Sequence, residues 1–126
     1  MERILVIEDD WNFQRLMVVA LSEHGFAAES ADTAAAGLKK AWCSRPDLIL
    51  LDYNLGDMKG HDAAQWLEFM RGTRAIPVLL LTGMAGSPEV REAMSASRVC
   101  RGILPKTMPL AEIVGNIRKV LKEGTL

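Results

Sequence analysis

Cysteine and tyrosine are scarce: two cysteines and one tyrosine occur among 126 residues. Cys43 and Cys100 have neither a CxxC spacing nor a histidine arrangement suited to zinc. They read as buried thiols of a reducing compartment. No apolar stretch approaches the length of a membrane span. The opening residues, Met1-Glu2-Arg3-Ile4, lack a signal-peptide pattern. Charge of one sign is also missing. The net charge is −1 and the basic residues are scattered, so no broad surface for nucleic acid or membrane is indicated. Linkers, repeats and low-complexity segments are absent. What remains is a soluble, cytoplasmic chain of one-domain length.

Hydrophobic residues make up 49% of the chain, enough to fill a core at this length. The stretch Leu48-Ile49-Leu50-Leu51 is unbroken, as expected for a strand buried on both faces. It ends in Asp52, and a glycine-containing acidic turn follows. Ile4-Leu5-Val6-Ile7 is a second such run and ends in Glu8-Asp9-Asp10. Pro77-Val78-Leu79-Leu80-Leu81 ends in Thr82, with proline at the tolerated first position. Residues 99–104 form a further strand before Pro105-Lys106, and residues 26–30 a weak one.

Helical patterns separate these strands. The first carries Phe13, Leu16, Met17, Ala20 and Leu21, with Asp10 as its cap and Gly25 as its stop. The second is capped by Asp32 and carries Leu38, Ala41 and Trp42. The third carries Ala63, Trp66, Leu67 and Met70 and closes at Gly72. The fourth starts at Ser87-Pro88-Glu89. The last carries the stripe Leu110, Ile113, Val114, Ile117, Val120 and Leu121. Five β-α units predict a doubly wound, flavodoxin-like α/β fold with a parallel sheet in the order 2-1-3-4-5.

In that order the carboxyl ends of the strands converge on one crevice. Glu8, Asp9, Asp52, Thr82 and Lys106 would meet there. Three adjacent carboxylates raise one another's pKa. A divalent cation and the Lys106 ammonium would balance them. Oxygen ligands alone suit Mg²⁺ rather than zinc. Thr82 and Lys106 are apt donors to phosphoryl oxygens.

This constellation resembles the receiver domain of two-component response regulators along essentially the whole chain. Five features carry the resemblance: the acidic pair after the first strand, Asp52 after Leu-Ile-Leu-Leu, the Asp57-Met58-Lys59-Gly60 turn, Pro77 to Thr82, and Pro105-Lys106. It implies that residues 1–126 form a single receiver domain with no output domain in this chain. Asp52 would accept a phosphoryl group from the phosphohistidine of a sensor histidine kinase or a phosphotransfer protein. Glu8, Asp9, Asp52 and the backbone carbonyl of Asn54 would hold Mg²⁺, and Thr82 and Lys106 would bond the phosphoryl oxygens. The domain would switch protein contacts or relay the group onward, without binding nucleic acid or membrane itself. A homodimer through the fourth helix, fifth strand and fifth helix is left open.

The sequence departs from the family pattern at four places. Ile103 occupies the usual aromatic position on the last strand, which implies little coupling through that residue. Gly56 stands where proline is usual, and Thr107 follows the lysine where proline is common. The acid pair is Glu-Asp. Blander readings apply elsewhere: Asp10 as a cap, Asp57 as a turn residue, His24 and His61 as exposed helix-end residues, and Trp11 at the crevice rim. The side chains of Asn54 and Met84 would face the phosphoryl group. An aspartate-nucleophile phosphohydrolase is the alternative enzyme reading, but Asn54 stands where its general acid belongs. A flavodoxin-like flavin-binding module needs a phosphate loop after the first strand, and Glu8-Asp9-Asp10 would repel a phosphate.

Overall fold

The structure is a computed structural model that describes residues 1–126. Five strands and five helices alternate: β1 Arg3–Ile7, α1 Trp11–Glu23, β2 Ala27–Ala31, α2 Ala34–Ser44, β3 Leu48–Leu51, α3 Gly60–Phe69, β4 Val78–Thr82, α4 Pro88–Ser95, β5 Cys100–Pro105 and α5 Leu110–Glu123. The sheet is parallel in the order β2-β1-β3-β4-β5, as the alternation predicts. Ile4 to Ile7 pair residue for residue with Leu48 to Leu51. The ends of β1 and β3 are therefore level, and Glu8 and Asp52 leave the sheet side by side.

Side-chain alternation along the central strands divides the core into two layers. Leu5, Ile7, Ile49, Leu51, Val78 and Leu80 face one way, against α2, α3 and α4. Ile4, Val6, Leu48, Leu50, Leu79 and Leu81 face the other, against α1 and α5. The α2 layer lies close to the sheet because its packing face is Ala34, Gly37 and Ala41. A Cβ on Gly37 would stand 2.4 Å from Ile7 Cδ1.

Several local expectations are corrected. The cap of α2 is Thr33, whose hydroxyl accepts the Ala36 N–H, not Asp32. Thr33 has the extended backbone that a cap needs. Helix α3 stops at Phe69 rather than Gly72, because Met70 is already extended. Leu16, Trp42 and Trp66 follow the helical spacing but are about half exposed. Small residues hold the contact face of α2, and Gly60, Ala63, Ala64 and Leu67 that of α3, and the tryptophans turn outward. Cys43 is exposed and Cys100 only half-buried, so neither is the buried thiol expected. Gly25 does end α1, in the left-handed region at φ 89°.

Candidate functional site

Asp52 is the first residue past β3 and is 6% exposed. Its backbone N–H donates to Ile7 O, a bond that continues the β1–β3 pairing. The Tyr53 N–H donates to Asp52 Oδ1 at 2.8 Å. The carboxylate is thus held by the turn it begins, and Oδ2 faces Lys106 Nζ at 3.4 Å.

Glu8, just past β1, is 2% exposed. Gln14 Nε2 of α1 donates to its carbonyl at 2.9 Å, and the Asp10 N–H reaches its Oε2 at 3.2 Å. Asp10 also caps α1 by accepting the Phe13 N–H, as predicted. Lys106 Nζ is in direct contact with Glu8 Oε1. The ammonium also lies 4.8 Å from the centre of the Phe13 ring, a cation–π placement that shields it from water. Asp9 is exposed. One carboxylate oxygen from each of Glu8, Asp9 and Asp52 lies within 4.8 Å of the others.

Thr82 ends β4 and is 1% exposed. Its hydroxyl oxygen accepts the Met84 N–H at 3.1 Å, which leaves the O–H to donate into the crevice. The Lys106 N–H donates to Thr82 O at 3.1 Å, which continues the pairing of β4 with β5 past Pro105. Asn54 is exposed at the β3–α3 turn. Its side chain bonds Lys59 Nζ and Met84 Sδ, each at 2.7 Å.

The electrostatics show an incompletely neutralised cluster. Burial pushes the Glu8 carboxyl up to about 7. The Lys106 contact opposes that rise and the Asp52 carboxylate adds to it. Burial alone would lower the Lys106 ammonium, yet Glu8 and Asp52 hold it above its ordinary value. One ammonium therefore does not balance the acids around it. Two buried carboxylates and one exposed carboxylate, with oxygen donors only, fit a hard, partly hydrated divalent cation such as Mg²⁺.

Glu8, Asp9, Asp52 and Lys106 come together, and Thr82 is tied to Lys106 through its main-chain carbonyl. The sequence reading missed their supports: Gln14 and Phe13 on α1, and the Tyr53 N–H. Hydrogen bonds to main-chain atoms leave no residue-type signature, and Phe13 reads equally as core. The reading of Asp57 as a plain turn residue misses half its role. Its carboxylate accepts the Ala34 and Ala35 N–H groups of α2 at 2.9 and 3.0 Å. His61 is half-buried and bonded to Tyr53, not a free helix end. Trp11 is 63% exposed, with Arg15 over its ring. A surface pocket of about 400 Å³ between Glu68 and Phe69 of α3 and Arg74, Arg98 and Val99 contains none of Glu8, Asp9 and Asp52. The site itself is an open crevice.

Residues 4–118 match the family described as the response regulator receiver domain. The chain belongs to that family. Receiver domains are the phosphoacceptor switches of two-component response regulators. The chain is 31% identical over 122 residues to the probable transcriptional regulatory protein SilR of Salmonella typhimurium, covering 97% of this chain and 52% of that protein. It is 30% identical over 125 residues to the KDP operon transcriptional regulatory protein KdpE of Escherichia coli, with the same coverage. The chain thus spans about half the length of these curated relatives. A CheY-like receiver domain protein from Methanospirillum hungatei superposes with a TM-score of 0.90 at 25% identity, over 98% of this chain and 95% of that one. No helix of this receiver domain is long and apolar enough to cross a membrane.

Proposed function

We propose that Asp52 is the phosphoacceptor of this receiver domain, and that the donor is a phosphohistidine on a histidine kinase or phosphotransfer protein. One observation carries this reading. A buried carboxylate at the end of β3 has one oxygen fixed by a backbone N–H and the other facing the partly buried Lys106 ammonium. In the reaction an Asp52 oxygen forms a bond to phosphorus as the phosphorus–nitrogen bond of the donor breaks. The electron pair returns to the imidazole, which takes up a proton. The product is an acyl phosphate, and water later attacks its phosphorus to release phosphate and restore the carboxylate.

Lys106 supplies positive charge to the transferring group, and the Thr82 O–H donates to one of its oxygens. Glu8, Asp9, Asp52 and the Asn54 carbonyl would hold Mg²⁺, which when bound offsets phosphoryl charge. The domain works in the cytoplasm, and its output is a protein contact or onward phosphotransfer.

Intact mass after incubation with Mg²⁺ and acetyl phosphate tests the acceptor. Wild type gains one phosphoryl group and Asp52→Ala gains none. An equal gain in both, or none in wild type with acetyl phosphate and with a phosphohistidine donor, would remove Asp52 from this role.

A further inference from the structure

Ile103 has no ring or hydroxyl with which to report on the phosphorylation site. The chain's single tyrosine does have both, and it is joined to that site. Tyr53 is 8% exposed. Its N–H holds Asp52 Oδ1, and its hydroxyl lies 2.6 Å from His61 Nδ1 on α3. Asp62 Oδ1 lies 3.5 Å from His61 Nε2. That contact favours a proton on Nε2 and leaves Nδ1 to accept from the tyrosine. A phenol is protonated at neutral pH, so the hydroxyl is a donor.

The ring is also hemmed in. Gly60, the first residue of α3, lies so close that a Cβ there would be 2.9 Å from Tyr53 Cα and 3.0 Å from its Cδ1. The Gly60 N–H donates to Tyr53 O at 2.6 Å. Tyr53 also belongs to the 17-residue apolar cluster that includes Val90 and Met94 of α4 and against which Ile103 packs.

We propose that Tyr53, anchored through His61, couples the chemical state of Asp52 to α3 and α4 in this chain. The inference rests on Asp52 being the acceptor. The physical step is a change in one hydrogen bond. Tyr53 N–H donates to a charged carboxylate before phosphorylation and to a neutral ester oxygen or its partner afterwards. A charge-assisted bond is roughly twice as strong as a neutral one. Relaxing it frees the Tyr53 backbone, and the close Gly60 contact and the His61 anchor pass that movement to the start of α3. Tyr53 is a positioning residue and does not touch the donor.

Amide chemical shifts test this, recorded with and without beryllofluoride and Mg²⁺ on wild type, Tyr53→Phe, His61→Ala and His61→Gln. In wild type, loading shifts the amides of Asp52, Thr82 and Lys106 together with those of Asp62, Glu89 and Val90. In Tyr53→Phe and His61→Ala the first group still shifts. The α3 and α4 response shrinks about fivefold, the effect of one neutral hydrogen bond. His61→Gln, which keeps an acceptor, restores it. If the first group shifts and α3 and α4 respond alike in wild type and Tyr53→Phe, the coupling is wrong and the acceptor stands. If wild type shows no shift at Asp52, Thr82 or Lys106, the acceptor reading falls and takes the coupling with it.

Discussion

Lys106 is the residue whose surroundings say most about the chemistry. Its ammonium touches one buried carboxylate, faces a second and lies over an aromatic ring. Lys106→Met keeps the apolar stem and removes the charge. Phosphoryl uptake from acetyl phosphate, followed by mass against time, is expected to slow by about a hundredfold. An unchanged rate would leave the lysine a structural role only. Asp57 gives a prediction of a different kind. The Ala35 and Ala34 N–H donors hold its carboxyl below the ordinary value. Asp57→Ala is expected to cost about 0.5–1 kcal/mol at neutral pH, at the low end because the carboxylate is exposed to solvent. A lowered folded pKa makes this contribution complete above about pH 4. It fades as pH falls through the lowered folded value, so the stability gap to wild type should shrink in acid. Urea denaturation at pH 7 and pH 3 measures it, and a gap that widens in acid would contradict this role of Asp57 at the start of α2.

At the scale of elements, tight seating of α2 on β1 keeps the end of β1 in place. Gly37 permits it, since a methyl there would collide with Ile7. Gly37→Ala is expected to destabilise the fold by about 1–3 kcal/mol through overpacking. A denaturation midpoint equal to wild type would show that Ile7 can turn away at no cost. Strand legibility differs for physical reasons. The strands β1, β3 and β4 are buried on both faces, so they read as unbroken aliphatic runs. Edge strand β2, Ala27–Ala31, is half-buried along most of its length and carries little signal. Helix faces were harder still. Periodicity marks a stripe, but which large residue on it is covered depends on the neighbouring element. Trp42 and Trp66 are consequently exposed on helices whose buried faces are alanine and glycine in α2, and glycine, alanine and Leu67 in α3.

For the whole molecule, binding of a cation to the folded state alone must raise its stability. Mg²⁺ is expected to raise the melting temperature of wild type, and to raise that of Asp9→Asn much less. Equal rises would place the cation elsewhere. Assembly is a separate matter. Residues 100–103 of β5 are half-buried, and the Leu126 side chain closes over Gly102. Gel filtration is expected to show a monomer with and without beryllofluoride. A doubling of mass on loading would show that α4, β5 and α5 form a pairing face.

The alternation of elements, the sheet order and the acids, threonine and lysine at the strand ends are legible in the residue pattern. Those features follow from local hydrophobic runs and from the topological rule that strand ends converge. How the carboxylates are held follows from packing in three dimensions. Phe13 lies under Lys106 and Asp57 reaches α2 from distant segments, while Gln14 holds Glu8 and His61 holds Tyr53 across one loop. Such contacts depend on packing distances of a few ångströms, which no residue pattern encodes.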